Sequence, residues 1–177
     1  AIVARTCSRT RAIESGSRTG SMIGKYRDGL IPAPPRPPED SPLAAEAAAT
    51  AEAVRRQLDE MDLSGSLETI WSLVRRLNRY VEEQAPWEQA KLEASGEAGQ
   101  DSGTAGEGLD ATLWDLAEGL RLLSVLLYPF IPQTALTIRE RLGLTAPRPA
   151  WTEARWGLLP EGLAVEAGSP LFPRIEA

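Results

Sequence analysis

Apolar residues recur along this chain with a helical period. Ala47, Ala51, Val54, Leu58 and Met61 are spaced three or four apart, which places them on one face of a helix. Ser41 is the expected cap of that helix and Pro42 its first residue, where a missing N–H costs nothing. Leu63-Ser64-Gly65-Ser66 reads as a turn, with Ser66 capping a second helix whose stripe is Leu67, Ile70, Trp71, Val74, Leu77 and Val81. That helix ends near Ala85-Pro86, and a short continuation covers Trp87 to Leu92. Ala94 to Gly108 is rich in Gly, Ser and Glu and reads as a loop. Leu109 to Tyr128 is the most apolar stretch, with Leu113, Leu116, Leu120, Leu123 and Leu127 in line and Trp114 and Val125 beside them; it is expected to be buried deepest. Pro129 and Pro132 stop it, Gln133 to Leu142 forms a last helix, and Gly143 is placed to end that helix in the left-handed conformation. The alternation of period two that marks half-buried strands is not found. The pattern predicts an all-α fold, an antiparallel helix bundle over residues 21–143, and an irregular tail over 144–177 that packs on the bundle.

Two segments stand outside that pattern. Pro32, Pro34, Pro35, Pro37 and Pro38 form an extended connector ahead of the first amphipathic helix. Residues 1–20 are rich in Arg, Ser, Thr and Gly, with Gly16 and Gly20 where a buried helix needs apolar side chains. They are expected to be a disordered or out-of-frame segment that packs poorly. The genetic code permits Glu14-Ser15-Gly16 to be encoded as GAA-TCT-GGN, which would read Asn-Leu one nucleotide later.

The 177 residues suit one domain with a core of its own, and no apolar run approaches the roughly 20 residues that cross a bilayer. The N-terminus lacks the apolar centre of a secretory signal, so a cytoplasmic protein with no membrane partner is expected. The single cysteine, Cys7, excludes an internal disulfide and a multi-cysteine zinc site. The absence of histidine removes Ser–His and Cys–His nucleophile pairs and the common zinc hydrolase sites, so neither a catalytic residue nor a metal ligand is assigned. With a net charge of −6 the chain is not expected to coat nucleic acid, where phosphate neutralisation dominates. A specific contact to an RNA loop, read by stacking and base edges, stays open.

Four ordered segments carry a resemblance. They are Met22-Ile23-Gly24-Lys25-Tyr26-Arg27-Asp28-Gly29, then Asn78-Arg79-Tyr80-Val81-Glu82-Glu83-Gln84-Ala85-Pro86-Trp87, then Leu113-Trp114-Asp115-Leu116-Ala117-Glu118-Gly119-Leu120-Arg121, and last Gly157-Leu158-Leu159-Pro160 with Pro170-Leu171-Phe172-Pro173-Arg174-Ile175-Glu176. Together, over about Ser21 to Glu176, they resemble the C-terminal anticodon-binding domain of methionine–tRNA ligases, which are class I aminoacyl-tRNA synthetases. The resemblance implies that Trp87 stacks on the first anticodon base, a cytosine, and that the CAU anticodon of the tRNA for methionine is the partner. An indole that replaces the lost neighbour of a splayed base is worth about 1–3 kcal/mol.

The family also uses an Asn and an Arg four residues apart on its first bundle helix. Arg18 stands at the arginine, and Glu14 replaces the asparagine with a carboxylate that repels phosphate. The Asn-Leu of the shifted reading would give the family's residues at that place. Asn78 is implied as an anticodon-side residue, and Arg75 and Arg79, four apart, as a small basic face of candidate tRNA contacts. From the residues alone, Trp87 equally reads as a core residue at a kink and Arg79 as a solvated face, while Trp71, Trp114, Trp151 and Trp156 read as core or tail anchors. The family's histidine-containing ATP turn and Lys-Met-Ser loop have no counterpart here. No cofactor is therefore assigned to this chain; ATP and Mg belong to the full-length enzyme. The catalytic domain of the same enzyme is the expected second partner, and this chain by itself is expected to be inactive. The alternatives are a stand-alone helical interaction protein, or the equivalent domain of a ligase for another aliphatic amino acid.

Overall fold

Helix α1, Ser15–Tyr26, begins earlier than the sequence predicts and runs unbroken across the expected break at residue 20. The computed structural model describes residues 15–95, 102–145 and 148–166. Residues 1–14, with Glu14, and 167–177, with the Pro170–Glu176 motif, lie outside them. Thr19 and Gly20 are buried in α1, so this part of the atypical N-terminal segment is packed after all.

The proline segment leads through a 3-10 turn at Pro38–Asp40 to α2, Ala44–Asp59. Ser41 and Pro42 fall ahead of the helix: Leu43 takes the N-cap position with no side-chain cap, and Ser41 Oγ accepts from the Leu43 N–H at 3.2 Å in the turn before it. The next helix, α3, Leu63–Gln84, starts three residues before Ser66. Asp62 is its cap, accepting from the Gly65 N–H at 2.8 Å. Ser66 is buried inside the first turns and donates to the Asp62 carbonyl at 2.8 Å. A side-chain acceptor one residue ahead of the expected turn won because it reaches an otherwise orphaned N–H. Met61, expected on the α2 stripe, sits in the turn with φ 59° and is 79% exposed.

α3 is followed directly by α4, Pro86–Ser95, and then by α5, Ser102–Leu127. The stretch expected to be a loop over residues 94–108 is thus helical at its end. Once a strongly packed helix exists, extending it backward adds a hydrogen bond per residue fixed, which offsets the glycine penalty. α6, Pro132–Arg141, closes the described helices, and Gly143 ends it with φ 72° as expected.

Helix α5 is the axis of the molecule. Every residue from Ala111 to Leu127 is buried. One side of it completes a core with α2 and α3, through Leu43, Val54, Ile70, Leu73, Leu77 and Leu122. The other completes a second core with α1, α6 and the tail, through Ile23, Ile31, Leu113, Trp114, Leu120, Ile138 and Leu159. α3 and α5 approach closely at Gly119, where a Cβ would stand 2.5 Å from Leu77 Cδ2. Among the described residues no strand forms; a single antiparallel bridge, Leu30 with Ala164, ties the tail to the end of α1.

A row of polar residues spaced by three, Asp115, Glu118, Arg121 and Ser124, is buried along the otherwise apolar α5. The row holds the two extended segments. Asp115 accepts from Tyr80 Oη at 2.7 Å and pairs with Arg36 of the proline connector. Burial, reinforced by the Asp115 charge, pushes the Tyr80 hydroxyl well above its ordinary range. Burial also raises Asp115 against the pull of Tyr80 and Arg36. Glu118 binds Arg121 at 2.6 Å and accepts from the Gly157 and Leu158 N–H groups at 2.6 and 3.1 Å. Arg121 donates to the Glu153 carbonyl at 2.9 Å and to that of Arg155. Trp156 lies edge-on to Trp114 at 6.2 Å and donates to the Pro38 carbonyl at 3.0 Å, so tail and connector also hold each other.

Candidate nucleic-acid interface

Trp87 is the second residue of α4, half-buried against the side of the α2–α3–α5 core. Its position follows from a sharp joint. Pro86 disfavours a right-handed helical residue before it, and Ala85 takes the left-handed conformation with φ 42° and ψ 59°. One flank of Trp87 packs on the bundle, and the other lines a cleft of about 380 Å³ together with Val81 of α3 and Arg18, Ser21 and Met22 of α1. Sites for small ligands run from roughly 300 to 1,000 Å³, which makes this one suited to a single flat group. Its floor is apolar, from Met22 and Val81, and its rim is cationic, from the exposed Arg18. An aromatic wall with one guanidinium is the equipment for an unstacked base joined to a phosphate.

Arg18 and Trp87, which the sequence places far apart, are therefore brought to one cleft. Ser21, Met22 and Val81 join them without having been singled out as site residues. The available signal was spacing, since Ser21 and Met22 follow Arg18 by three and four positions on the same helix. Asn78 is half-buried on α3, one turn before Val81 and on the neighbouring flank. The basic pair is elsewhere. At 100° per residue, Arg79 stands about 160° from Val81 around α3, and it is exposed. Arg75 is held by Glu68 at 2.9 Å in a shallow surface depression against α2 that contains Glu46 and Thr50.

The angle between α1 and α4 is held from outside the cleft. Arg27, just past α1, reaches Asp110 of α5 at 2.5 Å and Glu93 of α4 at 3.1 Å. Partial burial works against its charge, and the two carboxylates outweigh that effect, so its guanidinium titrates above the ordinary value. Gln89 Nε2 donates to the Gln84 carbonyl at 2.8 Å, across the α3–α4 joint. Among the described residues no cluster of potential metal ligands occurs, and no helix is long and apolar enough to cross a membrane.

Comparison with known proteins gives a single answer. The family described as the anticodon binding domain of methionyl tRNA ligase matches residues 33–177. The methionine–tRNA ligase of Deinococcus radiodurans is 41% identical over 90% of this chain, and that of Caldanaerobacter subterraneus subsp. tengcongensis is 38% identical over 90%. The chain spans about a quarter of their length, 22% and 24%. In structure it is similar to the apo form of Mycobacterium tuberculosis methionyl-tRNA synthetase, with a TM-score of 0.74 and 27% identity, covering 92% of this chain and 31% of that one. An all-helical bundle in this order, matched over most of its length by one family, places the chain among the anticodon-binding domains of methionyl-tRNA ligases.

Proposed function

We propose that this domain reads the CAU anticodon of the tRNA for methionine, within a methionine–tRNA ligase that joins methionine to that tRNA at the expense of ATP. The supporting observation is the cleft in which Trp87 and Arg18 meet. Trp87 offers a flat face to the first anticodon base, and Arg18 a charge to the adjoining phosphate or base edge. Asn78 stands on the neighbouring flank as a further candidate contact. Arg75 and Arg79 face away from the cleft and are assigned to a more distant part of the RNA. Methionine activation, with its ATP and Mg, is assigned to a catalytic domain beyond these residues. The domain by itself is therefore expected to give no methionine-dependent ATP–pyrophosphate exchange.

The test is Trp87→Ala in the ligase. Aminoacylation of tRNA with a CAU anticodon is expected to fall by the equivalent of about 1–3 kcal/mol, roughly five- to 150-fold, while methionine activation without tRNA stays near wild type. A variant that is merely less stable, with normal tRNA use in its folded fraction, would show that Trp87 only packs.

A further inference from the structure

The left-handed residue between α3 and α4 is an alanine, not the glycine or asparagine that ordinarily takes such a conformation. Ala85 ends one helix and caps the next. Its N–H donates to the Val81 carbonyl at 3.0 Å, and its own carbonyl accepts from the Glu88 and Gln89 N–H groups at 2.8 and 3.3 Å. No other residue separates the two helices. The direction of α4, and with it the pose of Trp87 two residues on, is set by one pair of backbone dihedrals. Three features fix that pair. The methyl group of Ala85 narrows the left-handed well, the buried Pro86 disfavours the right-handed alternative, and Gln89 latches the first turns of α4 to the last carbonyl of α3. Val81 and Arg18, the other walls of the cleft, sit on α3 and α1. Any swing at the joint would therefore open or close the cleft.

We propose that Ala85 and Gln89 are positioning residues that hold the Trp87 indole at the stacking pose. This rests on the reading of the cleft as an RNA site. A rigid joint means that the ordering of the platform is complete before RNA arrives, so less of the interaction is lost to reorganisation. Glycine at position 85 is compatible with the same backbone but widens the range the joint samples, since it adds freedom while relieving left-handed strain.

The experiment uses the full 177-residue chain labelled with 5-fluorotryptophan, in which the five tryptophans are expected to give separate fluorine resonances and Trp87→Phe assigns one of them. In Ala85→Gly the Trp87 resonance alone is expected to broaden or shift, with little change in melting temperature. Affinity for an RNA stem–loop carrying CAU is expected to fall roughly three- to tenfold. Ala85→Asn keeps a Cβ and tolerates the left-handed region, so it is expected to restore both readouts. Should Ala85→Gly fail to fold, Gln89→Met removes the latch alone and carries the same readouts. Binding that is lost in Trp87→Ala but kept in Ala85→Gly, with an unchanged Trp87 resonance, overturns the joint and leaves the RNA reading intact. No binding by the wild-type chain, with the Trp87 resonance still altered in Ala85→Gly, overturns the RNA reading and leaves the joint.

Discussion

The two sides of this bundle are held by different means. Where the tail and the proline connector lie on α5, buried charges, backbone groups and tryptophans interlock, and each polar atom of Glu118 has a partner. Where α1, α3 and α4 meet, five side chains border a shallow cleft, and the angle is set from its margins by Arg27 and the Ala85 joint. The first side secures two segments whose regular structure, among the described residues, is limited to one short 3-10 turn each, Pro38–Asp40 and Trp151–Glu153. The second keeps an aromatic face and a cation accessible. Strong interlocking suits the first because an extended strap forms few internal hydrogen bonds and must take its bonds from elsewhere. It would defeat the second, since groups already bonded within the protein are not free to bond a ligand.

The sharpest way to break this contrast is Arg121→Met, which leaves Glu118 buried without its counter-charge. Loss of one partner from a buried pair is expected to cost about 3–5 kcal/mol, read by denaturant unfolding, and to free the tail to proteolysis near residues 150–160. A loss no larger than that of a surface substitution would mean that the straps do not depend on α5. Leu120→Ala, on the same helix but facing the α1–α6 core, is expected to cost about 2–5 kcal/mol through its cavity, with the tail still protected in the folded fraction.

Acid sharpens the comparison further. Burial works to raise Glu153, but the Ala150 N–H and the charges of Arg139 and Arg121 outweigh it, so its folded-state value lies below the ordinary 4.5. The stability it contributes is present above pH 4.5 and is lost as pH falls through the lower folded-state value. Glu153→Gln is expected to flatten that part of the acid titration. Asp115, raised by burial, acts in the opposite direction and is left in place by this variant, so the difference between the two curves isolates Glu153. Identical curves would show that the strap is not electrostatically coupled to the bundle. The smallest effect belongs to Arg79→Ala, on neither side of the contrast. It is expected to change stability by under about 0.5 kcal/mol and leave stem–loop affinity within twofold; a larger loss of affinity would extend the interface around α3.

Much of the fold was legible in the spacing of apolar residues. The stripes of α2 and α3 follow from side chains three and four apart, because a helix carries its own hydrogen-bond pattern and needs only one face buried; α5, buried all round from Ala111 to Leu127, was legible instead from the density of its apolar residues. What failed was local competition. Asp62 took the cap expected of Ser66, and Met61 left its stripe for a turn, because both outcomes hinge on which side chain reaches an N–H at a helix end. The row of Asp115, Glu118 and Arg121 did leave a signal, charged residues every third position inside an apolar run, but nothing in the run says what they bind. Their partners are carbonyls and N–H groups of distant segments, such as those of Glu153 and Gly157.

The same division holds for the cleft. The sequence by itself determined that Trp87 follows a helix break, that Arg18 stands one turn from a motif shared with a family, and that a chain without histidine carries no Ser–His or Cys–His nucleophile pair. Only the tertiary structure decided that Arg18 and Trp87 share a cleft, that Arg75 and Arg79 do not, and that a single left-handed alanine aims the indole. Local geometry is written in residue spacing. Which helix faces end up side by side is settled by how five helices and two straps fill the space around α5, and that is a property of the whole packing.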